Sequence, residues 1–279
     1  MADAAETLLN SFIQHGKLNN RIFLLKLAPG DCPAILPRLD DLAERMGYTK
    51  IVAKIPSGRQ PAFVRHGYRR EATIPGFFNA GERGDAALMA KYTDPIRRID
   101  PDRERLAAVL AAAVNQPGSE KPPPPAAPFH CRIAGKTDAV QMANLYAEVF
   151  PTYPFPIYDS GYLVETMESH SLYVGIWKGE TLVSLASADM DIEEKNAEMT
   201  DFATLPHHRG RRFAGFLLKT MEAAVAAEGV KTCYTIARAR SFGMNITFSR
   251  AGYTYSGVLI NNTNISGRIE SMNIWYKSL

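Results

Sequence analysis

The stretch "LPHHRGRRFAGFLL", residues 205–218, sets Arg209, Arg211 and Arg212 around Gly210 and then turns apolar. A strand before it and a helix after it leave several backbone N–H groups unpaired and pointing one way, at the positive end of the helix dipole. Such a place suits a phosphate or pyrophosphate. Gly210 lets the backbone come close to a ligand, Ala214 keeps the helix start slim, and arginines give charge-assisted hydrogen bonds to anionic oxygens. The competing interpretation of an Arg-Gly-x-Arg run is an exposed basic helix start with no ligand.

The flanking elements weigh against the second. "NAEMTDFATL" reads as a strand ending at Pro206, and "AGFLLKTMEAAVAAEG" as an amphipathic helix closed by Gly229. Upstream, "TDAVQMANLYAEVF", residues 137–150, has helical spacing with Thr137 or Asp138 as its cap. "PTYPFPIYDSGYL" reads as a proline- and aromatic-rich loop. "SLYVGIWKGETLVSLASADM" is a hairpin turning at Lys178-Gly179-Glu180. Downstream come a strand, "TCYTIARA", a short helix, "GMNITFSRA", and two final strands. The loop therefore sits at the centre of a strand-loop-helix unit in an α/β or α+β sheet domain.

The segment "NQPGSEKPPPPAAP" divides the chain, because four successive prolines cannot join a helix or a central strand. We expect a first domain over residues 1–115, a linker over 116–128 and a second domain over 129–279. The halves echo each other: Phe63, Gly67 and Tyr68 correspond to Phe248, Gly252 and Tyr253, each set between two strands. The first half has no counterpart of the arginine-glycine stretch. We expect it to be a structural or dimerisation partner, with a homodimer as the assembly open to it.

The totals limit the function. The 279 residues carry 32 basic and 29 acidic side chains, a net charge of only +3, which argues against a nucleic-acid partner. No membrane-length apolar run or signal segment is visible, so no membrane partner is expected. Cys32, Cys131 and Cys233 are scattered without a Cys-x-x-Cys pair, which argues against a structural metal and for a reducing cytoplasm.

The loop resembles the acyl-CoA signature of the GCN5-related N-acetyltransferases, with Arg209 at its first position and Ala214 at its last. Arg212 stands where that signature has glycine, which an L-residue tolerates if its φ is negative. "EMTDFATLP", "YTIARARSFGMNITFSRAGYTYSGVLINNTNI", "ESMNIWYK", "GYTKIVAKIP" and "IPGFF" are similar to the beta-lysine N-epsilon-acetyltransferases. The resemblance implies a mixed central sheet flanked by helices, preceded by a smaller, degenerate acetyltransferase-like domain. It also implies acetyl-CoA as cofactor and a small-molecule amine as partner. The product would be N-epsilon-acetyl-beta-lysine, a compatible solute.

The same resemblance distributes roles over residues. Ala203, Thr204 and Leu205, then Arg209, Gly210, Arg211, Arg212, Phe213, Ala214 and Gly215, with Ser241, Asn245 and Phe248, are expected at the coenzyme. The base belongs on the strand before the loop, where Glu198 comes first and Asp201 second; strand alternation puts them on opposite faces, so one should face the cleft. The family's usual acid is a tyrosine, but that position is Phe248, leaving Tyr234 and Tyr255 as candidate donors. Cys233 reads as a small core residue rather than a nucleophile. For the acceptor, Arg238 suits its carboxylate, and Tyr153, Tyr158, Asp159, Asn261 and Asn262 could line its channel. A polyamine, another diamino acid or a protein lysine as acceptor, or an acyl-CoA sensor without turnover, are the alternatives.

Overall fold

A computed structural model describes residues 3–81, 84–116 and 122–279. The first unit runs β1 (Ala4–Leu8), β2 (Ser11–Gly16), β3 (Arg21–Lys26), α1 (Ile35–Met46), β4 (Lys50–Pro56), α2 (Gln60–Arg65), β5 (Arg69–Phe78) and β6 (Gly84–Tyr92). Then come α3 (Arg103–Val114), β7 (Phe129–Ile133), α4 (Ala139–Val149), α5 (Ser160–Ser169), β8 (Ser171–Lys178), β9 (Thr181–Asp191) and β10 (Asn196–Thr204). The chain ends with α6 (Phe213–Ala227), β11 (Thr232–Arg238), α7 (Phe242–Arg250), β12 (Thr254–Ile265) and β13 (Arg268–Ser278). This is the mixed α/β architecture expected, with the arginine-glycine loop between β10 and α6. No helix among the described residues is long and apolar enough to cross a membrane.

All strands join one sheet, ordered β1-β2-β3-β4-β6-β5-β12-β13-β11-β10-β9-β8-β7. Each unit has one parallel pair, β3 with β4 and β10 with β11, each spanned by a helical crossover (α1 and α6). The units meet edge to edge where β5 and β12 pair through Gly257 and Ala72. A Cβ on Gly257 would lie 2.1 Å from the Glu71 carbonyl oxygen, so this close approach requires glycine.

The helices bury one stripe each. In α6, Phe213, Leu217, Leu218, Met221 and Val225 recur at helical spacing and join Val174, Ala186, Met199 and Trp275 in the core. The hairpin of β8 and β9 turns at Gly179-Glu180, where Lys178 faces Thr181. Two local features were hidden in the sequence. Helix α5 begins inside the stretch expected to be a loop, because the Asp159 carboxylate caps it, accepting from Gly161 N at 2.7 Å. Helix α3 precedes the linker in chain order, yet its Val109 and Ala113 are buried and Ala113 joins the second unit's core. Gln116 accepts from Arg250 on α7 at 2.7 Å.

Candidate active site

β10 pairs with β11 only from Asn196 to Glu198, against Thr232 to Tyr234. Beyond that point the strands separate. Residues of β10 after Glu198 and Thr235 to Arg238 of β11 then become facing walls of a cleft of about 620 Å³. The backbone edges turned toward one another there have no ladder partner across the gap, a template for a ligand that carries amides. The Ile236 N–H lies on the Glu198 side and favours the ionised carboxylate.

Glu198 and Asp201 both line this cleft, contrary to the expectation from alternation. The reason is a bulge: Thr200 faces Ser187 but Ala203 faces Leu185, so β10 carries one extra residue. Asp201 takes φ +55 there. An inserted residue resets which side chains point to which face. Asp201 accepts from the Tyr153 hydroxyl, from Ser187 Oγ at 2.8 Å and from Thr200 Oγ1 at 3.2 Å. Burial raises its pKa despite these bonds.

Burial also pushes the Glu198 carboxyl up to about 7; the Lys54 charge opposes the rise and Asp201 adds to it. Tyr234 favours the ionised form of Glu198 and rests its ring on Phe77 at 5.3 Å. Lys54, from the first unit, lies over the Tyr234 ring at 5.7 Å, and burial lowers its pKa. A third carboxyl, Asp189, is pushed up to about 8 by burial and by Asp201 while accepting from Ser171 Oγ at 2.6 Å.

The loop leaves β10 through a short turn at Pro206–His208, and Arg209 Nε returns to the Thr204 carbonyl at 3.1 Å. Gly210 has φ +79 with open space around it. Arg212 has φ +60 and ψ 20, so the negative φ expected of it is overturned: it sits in the left-handed region at the cap of α6. Holding an L-residue there costs about 1–2 kcal/mol. The carbonyl of Arg212 accepts from Phe216 N at 3.2 Å, and the first N–H groups of α6 lack helical partners. Arg209, Arg211 and Arg212 are exposed and form no ion pair among the described residues. These residues fit a pyrophosphate: free N–H groups, a helix N-terminus and three guanidinium groups without a carboxylate partner among the described residues.

Other expected residues divide. Thr204, Phe213, Ala214, Ser241 and Phe248 line the cleft with the loop. Ala203 is buried in the core, Leu205 packs against it, and Gly215 faces Pro122. Asn245 lies behind the wall, donating to the Arg238 and Ser241 carbonyls and accepting from Asn273 and Trp275. Tyr255 packs edge-on against Trp275 at 5.5 Å and is not a lining residue. Tyr158 donates to the Phe150 carbonyl, Asp159 caps α5, and Asn261 donates to the Arg97 and Ile99 carbonyls, all away from the lining. Tyr153, Arg238 and Asn262 do line it. Arg238, however, is gripped by Glu270 through two bonds of 2.9 and 2.8 Å. Cys233 is fully buried with its thiol pushed up to about 12 by burial, which suits a core residue.

The model of the Acetyltransferase (GNAT) family matches residues 139–244. A Beta-lysine N(6)-acetyltransferase of Methanococcus maripaludis is 36% identical over 268 residues, 96% of each chain. The chain belongs to the beta-lysine N(6)-acetyltransferase family. A second member, from Methanosarcina mazei, is 40% identical over 151 residues, 54% of this chain and 56% of its own. Among solved structures, the ribosomal-protein-S18-alanine N-acetyltransferase from Escherichia coli matches with a TM-score of 0.47 at 13% identity, covering 54% of this chain and 93% of that one. The protein is an acyltransferase of the GNAT type, and such enzymes use acetyl-CoA.

Within this family member, the first unit is part of the site. Gln14, Arg21, Phe23 and Leu25 line the cleft beside β10 and β11, and Gln14 Nε2 donates to the Pro154 carbonyl at 3.4 Å. Sequence reasoning missed all four. The available signal was Arg21 itself, a charge opening the otherwise apolar strand "RIFLL" and spaced by two from Phe23 and Leu25.

Proposed function

We propose that the protein transfers the acetyl group of acetyl-CoA to the terminal amine of beta-lysine, giving N-epsilon-acetyl-beta-lysine, a compatible solute. The observation that carries this reading is Glu198, a carboxyl pushed up to about 7 where β10 and β11 part, in one cleft with the arginine-glycine loop. Acetyl-CoA supplies an activated thioester. The first turn of α6 with Arg209, Arg211 and Arg212 holds its pyrophosphate, and the free strand edges hold its amides.

Glu198 takes the proton from the terminal ammonium of the acceptor, a role for which a pKa near working pH is suited. Tyr234 and Ile236 N–H favour its ionised form, and the Tyr153–Asp201–Ser187 set fixes the adjoining wall. Phe248 occupies the cleft where related enzymes carry a tyrosine, so α7 supplies no phenolic donor at that position. We read residues 1–115 as a degenerate acetyltransferase-like domain, whose last helix α3 packs on the other unit, and 129–279 as the catalytic one, a division supported by the shared strand order. Three free cysteines suit a cytoplasmic enzyme.

The test is thiol release from acetyl-CoA with beta-lysine, alpha-lysine, spermidine or a lysine peptide, each product analysed by mass spectrometry. One acetyl group on the terminal amine of beta-lysine, with strong preference for that acceptor, is the expected result. Preference for another amine would transfer the activity to that acceptor. Coenzyme binding without acetylation of any acceptor would turn the protein into a sensor.

A further inference from the structure

Each unit fastens a bulged strand of the other in the same way. β5 bulges between Ile74 and Phe78, and there the Gly76 and Phe77 carbonyls accept from Thr232 Oγ1 at 2.9 Å and Asn196 Nδ2 at 3.0 Å. β12 bulges between Leu259 and Thr263, and there the Ile260 and Asn262 carbonyls accept from Lys50 Nζ at 2.7 Å and Arg21 Nη1 at 2.5 Å. The four donors occupy matching places: Asn196 pairs with Thr232 and Arg21 with Lys50 at the start of each parallel pair. One unit thus uses a neutral amide and hydroxyl where the other uses two cations. The positive charge is surplus to the fastening.

Lys50 has its charge met by Glu71 at 2.9 Å. Arg21 does not. It is 4% exposed and makes no ion pair among the described residues. Asp3 reaches it only through its field, because its carboxylate engages Leu18 N, Asn19 N and the Asn19 side chain. Burial, with the like charge of Arg97, lowers the Arg21 pKa to about 9. An unpaired buried cation is costly unless a ligand completes it.

Two polar atoms nearby also lack partners. Arg21 Nε has none, and Asn262, fully buried, leaves its Oδ1 without a donor. Both residues line the cleft that contains Glu198. A cationic fork beside an unpaired acceptor matches an amino acid, which brings a carboxylate and an ammonium together. Arg238, the other lining arginine outside the arginine-glycine loop, is held by Glu270, a carboxylate it shares with Arg268.

We propose that Arg21 binds the carboxylate of the acceptor amino acid and that Asn262 Oδ1 accepts from its second ammonium, leaving the terminal amine for Glu198. The first unit is then the part of the enzyme that selects the substrate. This rests on the reading that the acceptor is beta-lysine.

The test compares kcat/KM for beta-lysine and for beta-lysine amide, whose carboxylate is replaced by a neutral carboxamide, in wild type, R21Q and R21K. The wild type should prefer beta-lysine by about 100-fold, since a site built for a charged partner rejects the analogue that lacks it. In R21Q that preference should fall to about threefold or less through the KM for beta-lysine, with the KM for acetyl-CoA unchanged; R21K should fall between. A merely structural role would lower both substrates alike and keep their ratio. An R21Q enzyme with the wild-type ratio overturns the proposal; should R21Q fail to fold, an R21K enzyme with that ratio does so. If the wild type acetylates beta-lysine and its amide equally well, the assigned carboxylate site fails while the function stands. If it acetylates only carboxylate-free amines such as spermidine, both readings fall.

Discussion

The two units share a local design and differ where chemistry is done. Phe63 meets Tyr68 edge-on at 5.1 Å in the first, and Phe248 meets Tyr253 at 5.1 Å in the second. Each tyrosine N–H returns to its phenylalanine carbonyl, at 3.0 and 3.1 Å. The helices crossing the parallel pairs begin differently. Before α6 stand three unpaired arginines around Gly210; before α1 stands Asp31, whose carboxylate accepts from Asn10 and Ser11 and whose carbonyl accepts from Ile35 N. An anion is attracted to the first arrangement and repelled by a carboxylate in the second. The strand pairs differ too: β3 stays beside β4 for four pairs, whereas β10 leaves β11 after three and continues to Thr204 as a cleft wall. The same topology is a closed pair of strands in one unit and a parted pair lining the cleft in the other.

The sharpest break in this comparison is at Glu198, whose counterpart by register is Phe23. Glu198→Gln should lower kcat/KM by about 10²–10⁴. In the wild type kcat/KM should fall as pH drops below about 7, because only the ionised carboxylate accepts a proton. Stability should move the other way. A folded pKa raised above its unfolded value gives no penalty below the unfolded pKa and a growing one as pH rises toward the folded value. Glu198→Gln should therefore match wild type at acid pH and exceed it above neutrality, by at most on the order of 3 kcal/mol. Calorimetric melts across pH check this; equal Tm values at every pH would show that Glu198 is not strained by burial.

Removing the first unit tests whether it is a wall or a bystander. A chain of residues 100–279 keeps α3, with Val109 and Ala113, in its core; a chain of residues 116–279 loses both. Both expose Tyr234, Leu259, Met272 and Ile274, which share a cluster with Phe23, Val52 and Phe77. We expect reduced solubility and acceptor turnover down by at least about 100-fold in both, since the cleft loses a wall and water enters. The shorter chain should also melt lower, by an amount corresponding to about 2–3 kcal/mol for two small buried side chains. A monodisperse, fully active short chain would show that the first unit serves neither purpose.

The loop arginines come next in size. Arg209→Ala with Arg211→Ala should raise the KM for acetyl-CoA about 10–100-fold, as charge-assisted bonds are lost, and leave discrimination between acceptors unchanged. These residues were legible in the sequence because charge, glycine and the change to helical periodicity coincide in a few residues. The echo of Phe-x-x-x-Gly-Tyr was legible for the same reason. The bulge at Asp201 was not: "TDFAT" contains neither glycine nor proline, so nothing marks the inserted residue that turns a second carboxylate into the cleft. Nor was the approach of the first unit to the cleft, which depends on contacts such as Gln14 with Pro154, 140 residues apart. Local patterns report elements; they carry little of how distant strands come to share one cavity.

The smallest effect concerns Arg212, whose backbone is left-handed at the start of α6. Arg212→Gly removes about 1–2 kcal/mol of native-state strain but loosens the unfolded chain, which offsets about 0.4–1 kcal/mol. The net gain should be about 1 kcal/mol or less, visible as a small rise in Tm. If the Arg212 side chain reaches a coenzyme phosphate, the same change should raise the KM for acetyl-CoA several-fold, so stability and affinity move in opposite directions. A higher Tm with an unchanged KM would mean that the strain serves no ligand, and that Arg209 and Arg211 supply the charge of the loop. Opposed changes would mean that the strained Arg212 adds a third cation to this loop, the step that most separates it from the Asp31 loop of the first unit.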